Sequence, residues 1–307
     1  IMKIVFIGGV KFSHNILDHI LKKGWDVPLI CTYQKTKKKL YSDLEEFDDL
    51  VSQYKIKQIE VDNINDKKNI EIIKKIKPDL ILVMGWSQIL KPEIIRIPKL
   101  GVIGSHPTEL PKFRGRAPIP WSIIKKLKTS ALTFFYIDKD VDNGDILDQE
   151  KFNINSKDDA TSLYKKITEI GKKMIIKNLG LINNGKAKRI RQNQCEFLEY
   201  WNKRTPDDGK INWSLDAEQI HNLIRATTFP YPGAFTNYNN KKLIIWKSSV
   251  IINKIKCPGK ILGINNYGVK IGTNKGYLII KNVTLGTTEK INSNKIFSEK
   301  DIGKIIK

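Results

Sequence analysis

His106 is one of four histidines in a chain of 307 residues. It ends the apolar run 102–105, where a buried strand would meet a loop, and Pro107, Pro111 and Gly115 shape that loop. A second apolar run ends in the acidic turn Asp138-Lys-Asp140-Val-Asp142-Asn-Gly144-Asp145. The separation 142 − 106 = 36 is enough for a strand–loop–helix–strand unit, which would bring His106 and Asp142 to the same edge of a sheet. A His beside a carboxylate there can act as general base or stabilise developing charge, while the carboxylate holds its tautomer. A metal site is the competing reading, but no second His or Cys is near, so no metal is expected. His14, His19 and His221 lie in helical patterns and read as surface or packing residues.

The elements that must position this pair alternate along the chain. Residues 3–7 read as a buried strand ending at Gly8-Gly9. Phe12, Ile16, Leu17, Ile20 and Leu21 have helical spacing, with a stop at Gly24, and 27–32 is a second strand. The Gly-Gly turn invites a dinucleotide reading, but Ser13 stands where the third glycine of G-x-G-x-x-G is sought, so NAD or FAD is not expected. Lys35–Lys39 reads either as a solvated loop or as an anion-binding lid. Helices are expected over 44–54, 70–76, 118–125 and 160–179, and strands over 56–61, 80–84, 102–105, 132–137 and 146–154. This alternation argues for an α/β fold with a mostly parallel sheet and binding loops at the carboxyl ends of its strands.

A polar, basic linker is expected between about 183 and 208, dividing domains 1–190 and 205–307. Beyond it, a helix over 217–227 precedes short strand-like runs at 242–246, 250–255, 260–264, 269–271 and 277–283. These predict a smaller, mostly β, barrel-like C-terminal domain.

The charge of +22 can attract nucleic acid, anionic membrane or phosphorylated substrates. The excess is mostly Lys scattered among Ile and Asn, which fits a composition bias equally well. Cys31, Cys195 and Cys257 are far apart and have no metal spacing, as in a reduced compartment. Met2 reads as the natural start, with Ile1 before it. No signal peptide or 18-residue apolar run is seen, so a cytoplasmic protein with no membrane partner is expected.

On these residues the chain resembles the folate-dependent formyltransferases, the group acting on glycinamide ribonucleotide, methionyl-tRNA and sugar nucleotides. The match is His106-Pro-Thr-Glu-Leu-Pro111, then Arg114-Gly115-Arg116-Ala-Pro-Ile119, then the Asp138–Asp145 turn. The resemblance implies a Rossmann-like domain followed by an OB-like one, and transfer of the formyl group of N10-formyltetrahydrofolate to an amine. It implies that His106 stabilises the oxyanion or moves the proton and that Asp142 positions His106 and the donor. It places Met84, Gly85, Trp86, Gln88, Ile89 and Leu90, with Asp138 and Asp140, around the folate, and Thr108, Arg114, Gly115 and Arg116 at the substrate. One departure is Gly104, which stands where the family has an Asn that holds the formyl oxygen. Losing one such donor costs about 10²–10³ in rate. A backbone N–H, Ser105 or a water takes that role, or the chemistry has changed. A glycine there would leave room for a larger acyl group, and an acyl-CoA donor is the alternative.

Two acceptors compete. The charge suits methionyl-tRNA, but the long basic insertion of the tRNA enzymes is barely present. The segments Arg204-Thr-Pro-Asp-Asp208, Ile211-Asn-Trp213, Arg225-Ala226 and Pro230-Tyr-Pro-Gly-Ala-Phe235, with Trp121, resemble bacterial formyltransferases of UDP-4-amino-4-deoxy-arabinose. The expected partner is therefore a nucleotide-linked amino sugar of cell-surface glycan (lipopolysaccharide or O-antigen) synthesis, ahead of tRNA, with a second copy of the chain as a homodimer. A non-enzymatic reading, an RNA-binding protein on a degenerate scaffold, predicts salt-sensitive RNA binding and no turnover.

Overall fold

The computed structural model describes residues 2–36 and 42–306. The chain divides into two compact units. The first holds Ile1–Pro118, Thr129–Asn153 and Tyr164–Asn202, and the second holds Ile119–Lys128, Ile154–Leu163 and Lys203–Lys307. Among the described residues no helix is long and apolar enough to cross a membrane.

Strands and helices alternate first as β1 (Lys3–Ile7), α1 (Lys11–Lys22), β2 (Asp26–Tyr33), α2 (Asp48–Tyr54) and β3 (Lys57–Val61). Next come α3 (Lys67–Ile76), β4 (Leu80–Val83), α4 (Pro92–Ile95) and β5 (Val102–His106). The unit is completed by β6 (Phe113–Gly115), α5 (Pro118–Ile124), β7 (Thr129–Tyr136), β8 (Ile146–Asn153), α6 (Ala160–Asn183) and β9 (Glu199–Trp201), although most of α5 and the start of α6 fall in the second unit. The main sheet of the first unit has the order β3-β2-β1-β4-β5-β7-β8. It is parallel from β3 to β5 and antiparallel from β5 to β8. Ile4, Val5, Phe6 and Ile7 are fully buried, as a strand covered on both faces requires. Val5 and Ile7 share a core with Leu29, Val61, Ile81, Val83 and Val102.

Three expectations are corrected in this unit. The helix over 44–54 is only α2, because the preceding backbone closes the start of α1. Lys11 N–H donates to the Asp43 carbonyl at 2.9 Å, Glu45 N–H donates to Gly9 at 3.1 Å, and Leu44 bridges Val10. The supposed linker is structured up to Asn202, with Gln192 and Trp201 buried and β9 paired to β6. Finally, β7 runs antiparallel to β5, with His106 opposite Thr133 and Ile103 opposite Tyr136. The end of β7 therefore lies beside the start of β5, and a simple parallel unit does not bring His106 and Asp142 together.

Ser13 has a definite role at the Gly-Gly turn. Its Oγ accepts from Gly9 N and Val10 N at 3.2 Å each and donates to the Met84 carbonyl at 2.5 Å. Phe12 N–H donates to Tyr164 Oη at 2.9 Å. A phosphate at a helix N-terminus needs free N–H groups of this kind, and here they are already engaged within the protein. In the basic cluster, Lys35 pairs with Asp48 at 2.6 Å. The rest of that cluster, 37–39, lies outside the described residues.

The second unit adds α7 (Ala217–Thr227), β10 (Ala234–Tyr238), β11 (Lys241–Ile251), β12 (Ile261–Asn265), β13 (Gly268–Gly272), β14 (Tyr277–Leu285) and β15 (Ile291–Asn292). These strands form an antiparallel sheet in the order β10-β11-β14-β13-β12, with β15 on β14. The runs 242–246 and 250–255 are not two strands. The first and the start of the second are one strand, β11, whose register shifts between Ile245 and Ser248. Alternate residues of the sheet, such as Leu243, Ile245, Ile271, Leu278 and Ile280, meet Ile220 and Ile224 of α7 in one core.

His221, on the same helix, faces Ser248 Oγ at 2.8 Å. Burial, with Arg225 adding to it, pushes its pKa down to about 4. The folded state thus favours neutral imidazole while the unfolded chain binds a proton near pH 6.5. His221 therefore supports the fold fully above pH 6.5, and that support is lost as pH falls towards 4. We expect His221→Asn to flatten the acid limb of thermal stability by on the order of 2 kcal/mol. Parallel melting curves of both proteins between pH 7 and 4.5 check this, and identical acid limbs would contradict it.

Candidate active site

His106 is the last residue of β5 and is 6% exposed. Its Nδ1 lies 3.9 Å from Asp142 Oδ2, and its Nε2 is buried with no hydrogen-bond partner. The expected pair is therefore brought together, but by a different route. After β7 the 138–145 turn folds back towards His106 and closes through Tyr136 N–H to the Asp145 carbonyl at 2.8 Å. Asp142 sits in the left-handed region, at φ 54°, a conformation Asp tolerates better than most residues. Its Oδ2 accepts from Gly115 N at 2.9 Å. One carboxylate oxygen thus meets a backbone donor and faces the imidazole.

Gly115 has φ 102°, and a Cβ there would lie 2.3 Å from the Trp201 carbonyl oxygen. Only glycine allows this approach of β6 to β9. Phe113 stacks on Trp201 with centroids 4.7 Å apart, and Arg116 N–H donates to Trp201 O at 2.8 Å. The Pro-rich loop is fixed from within. Thr108 Oγ1 donates to Phe113 O at 2.5 Å, and Thr133 Oγ1 donates to Thr108 O at 2.6 Å. Thr108, expected at the substrate, is fully buried and instead shapes the loop. Arg116 is exposed. Arg114 donates through Nη2 to Gln192 Oε1 and Gln194 Oε1, while its Nε is buried and unpartnered.

The loop after β4 is held by its own side chains. Trp86 stacks on Tyr33 at 3.8 Å and 6°, and Ser87 N–H donates to the Tyr33 hydroxyl. Gln88 accepts from Ile64 N at 2.9 Å and donates to Asp62 O at 2.7 Å, so its amide serves the loop. Met84 and Leu90 are buried, whereas Ile89 is 65% exposed. Asp138 Oδ1 accepts from Asp140 N at 2.9 Å, which is a turn contact. Trp86 Nε1 is buried without a partner, like His106 Nε2. These orphan atoms, at the ends of the paired strands β4 and β5, fit a ligand bearing a carbonyl and polar ring edges.

Gly104 does not leave a space. An added Cβ would lie 3.0 Å from Cδ1 and Cγ1 of Ile137 and 3.2 Å from Cζ of Phe135. The room that a larger acyl group was expected to use is filled by Ile137 and Phe135. The replacement of Asn by Gly is thus matched by a bulky apolar neighbour in the strand-to-turn segment.

Residues 2–179 match the formyl transferase family, and residues 203–301 match the formyl transferase C-terminal domain. The chain belongs to the formyl transferase family. This is the folate-dependent family that its His loop and acidic turn resemble, and the protein is a formyltransferase. It is 36% identical over 269 residues to the bifunctional polymyxin resistance protein ArnA of Wigglesworthia glossinidia brevipalpis, covering 86% of this chain and 40% of that relative. It is 32% identical over 288 residues to the methionyl-tRNA formyltransferase of Alkaliphilus oremlandii, covering 92% and 91%. An N-formyltransferase from Helicobacter canadensis, in complex with folinic acid and dTDP-3-aminofucose, has a TM-score of 0.69 at 23% identity, covering 91% and 98%. HypX from Aquifex aeolicus, in complex with tetrahydrofolic acid, has a TM-score of 0.69 at 19% identity, covering 97% and 47%. At those identities the two structures show likeness of fold alone.

The site makes two testable demands. His106→Ala and Asp142→Asn should each lower kcat by about 10²-fold or more, the usual range for acid–base residues, with thermal midpoints little changed. Activity near normal in either folded variant would remove that residue from the site. Gly104→Asn should destabilise through overpacking, by about 1–3 kcal/mol, and Ile137→Ala in the same chain should recover part of that loss. Calorimetry reads both, and an additive double variant would contradict the shared space.

Proposed function

We propose that this formyltransferase moves the formyl group of N10-formyltetrahydrofolate onto the amine of a nucleotide-linked amino sugar, with His106 and Asp142 at the reacting centre. The folate supplies an activated one-carbon group. A C–N bond forms to the acceptor nitrogen, the bond to N10 breaks, and one proton passes from the acceptor to N10, so no oxidant or reductant is needed. His106 Nε2 is the atom of this chain that can hold or pass that proton. Asp142 orients the ring from its Nδ1 side. Their separation of 3.9 Å is longer than a hydrogen bond, and catalytic contacts of this kind commonly tighten when ligand binds. Position 104 carries no amide, so the oxygen that gains charge is left to His106 or to backbone N–H groups.

The observation that carries the acceptor reading is the contact of Arg204 with Trp121 in the second unit. The guanidinium carbon lies 4.9 Å from the centroid of the Trp121 ring. Arg204 donates to the Asp208 carbonyl at 2.8 Å, and Thr205 and Asp208 close a capping box beneath it. Burial draws the Arg204 pKa below its usual value. A planar cation fixed on an indole offers both charge and a stacking face, which suits a nucleotide diphosphate. These are also the residues that resemble the sugar-nucleotide enzymes, and the likeness to the ArnA relative supports the same reading. Methionyl-tRNA is the second reading, supported by relatives such as the Alkaliphilus oremlandii enzyme, matched along 91% of its length, and by the charge of +22.

The test is a panel assay. N10-formyltetrahydrofolate is incubated with UDP- and dTDP-linked 4-amino and 3-amino sugars and with initiator methionyl-tRNA, and acyl-CoA donors are run in parallel. Formylated sugar nucleotide is the expected product. Product on tRNA alone would replace the acceptor, and product from acyl-CoA alone would reject the folate donor.

A further inference from the structure

Gln192 lies in the stretch that reads as linker, yet it is 3% exposed and its amide nitrogen and oxygen are both engaged at the site. Its Nε2 donates to the carbonyl oxygens of Asp142 and Gly144, both at 2.8 Å. Its Oε1 accepts from Arg114 Nη2 at 2.9 Å. Two carbonyls can only accept, so the nitrogen of the amide must face them and the oxygen must face the guanidinium. The strap that carries it is tied down on both sides. Ile190 exchanges backbone bonds with Ile146 at 2.7 and 2.9 Å, and β9 pairs with β6. Gln194 adds a bond to Asn143 Oδ1 at 2.9 Å.

We propose that Gln192 is a positioning residue for catalysis, clamping the Asp142 turn from behind and linking it to Arg114. The physical reason lies in the backbone of that turn. Asp142 holds a left-handed conformation, and its Oδ2 must reach Gly115 N while lying towards the Nδ1 edge of His106. A residue in that region persists where its surroundings over-determine it. Gln192 grips the carbonyls on either side of Asn143, so it fixes the peptide planes that aim the Asp142 side chain. Arg114 in turn holds Gln192, which connects the Arg-Gly loop to the carboxylate without touching the reacting atoms. A buried amide donating twice and accepting once from a cation is a costly arrangement to break.

The proposal rests on the reading of Asp142 as the group that orients His106, and the test separates the two. The ring C–H signal of His106 is followed by NMR in the folded protein, assigned by its loss in His106→Asn. Gln192→Glu keeps the size and the Arg114 contact but turns an acceptor towards the two carbonyls, and Gln192→Met removes the polar groups. Both should move the His106 signal in the direction that Asp142→Asn moves it. Gln192→Glu combined with Asp142→Asn should move it no further than Asp142→Asn alone. With any acceptor that turns over, kcat should fall by about 10-fold or more while KM for formyl-folate stays within about 2-fold, the signature of a lost transition-state contribution. An unmoved His106 signal in both Gln192 variants, additive shifts in the double variant, or loss of the fold in both variants would overturn the proposal. An unmoved signal in Asp142→Asn would instead overturn the His106–Asp142 pairing beneath it.

Discussion

One carboxylate oxygen sets the geometry around His106. Asp142 Oδ2 accepts the amide of Gly115 and faces Nδ1 of His106. That bond joins the end of β6 to the turn after β7. The requirement propagates outward. Gly115 must be glycine because Trp201 O lies against it, and Trp201 is where it is because β9 pairs with β6. The strap between α6 and β9 then reaches the turn from its other side. Loop, turn and strap thus form one closed set of contacts, in which no member can move without shifting the oxygen that faces the histidine.

The loop after β4 rests on a comparable device. Ser13 at the start of α1 joins the turn after β1 to the Met84 carbonyl, and the Tyr33–Trp86 stack fixes the next residues. The loop after β4 is thereby tied down by its own side chains, and its remaining unpartnered buried side-chain atom is Trp86 Nε1. Preorganisation of this kind lowers the cost of binding and of reaching the transition state. At Gly104 the same rigidity takes another form. Ile137 and Phe135 close the space beside Gly104, so its surroundings are apolar.

Much of this was legible in the sequence. Continuous apolar runs such as 3–7 and 80–84 marked the central strands, and helical spacing marked α1. What escaped has identifiable physical causes. The direction of β7 is not encoded in its own apolar pattern, since a strand buried on both faces reads the same either way. Residues 44–46 read as the start of a helix, but the backbone of 43–45 closes the start of α1, a tertiary contact that no local pattern announces. Residues 183–193 are polar and basic, so the strap that follows them reads with them as linker. Gln192 is held by hydrogen bonds to Arg114, Asp142 and Gly144, which no local pattern announces, and the available signal was the run Phe197-Leu198-Glu199-Tyr200-Trp201 just after it. The crowding at Gly104 was hidden because Ile137 is 33 residues away in the chain (137 − 104).

The acceptor is a separate matter from this frame, since Arg204 and Trp121 belong to the second unit while His106, Asp142 and their supports belong to the first. The His106–Asp142 pair of the first unit is open to a direct structural measurement. A crystal structure with a non-reactive formyl-folate should place the formyl carbon within about 4 Å of His106 Nε2, the reach expected of a proton-transferring group, with Asp142 drawn to hydrogen-bond distance of Nδ1. A formyl group bound away from His106, or an Asp142 turned from the ring with the folate in place, would contradict the account.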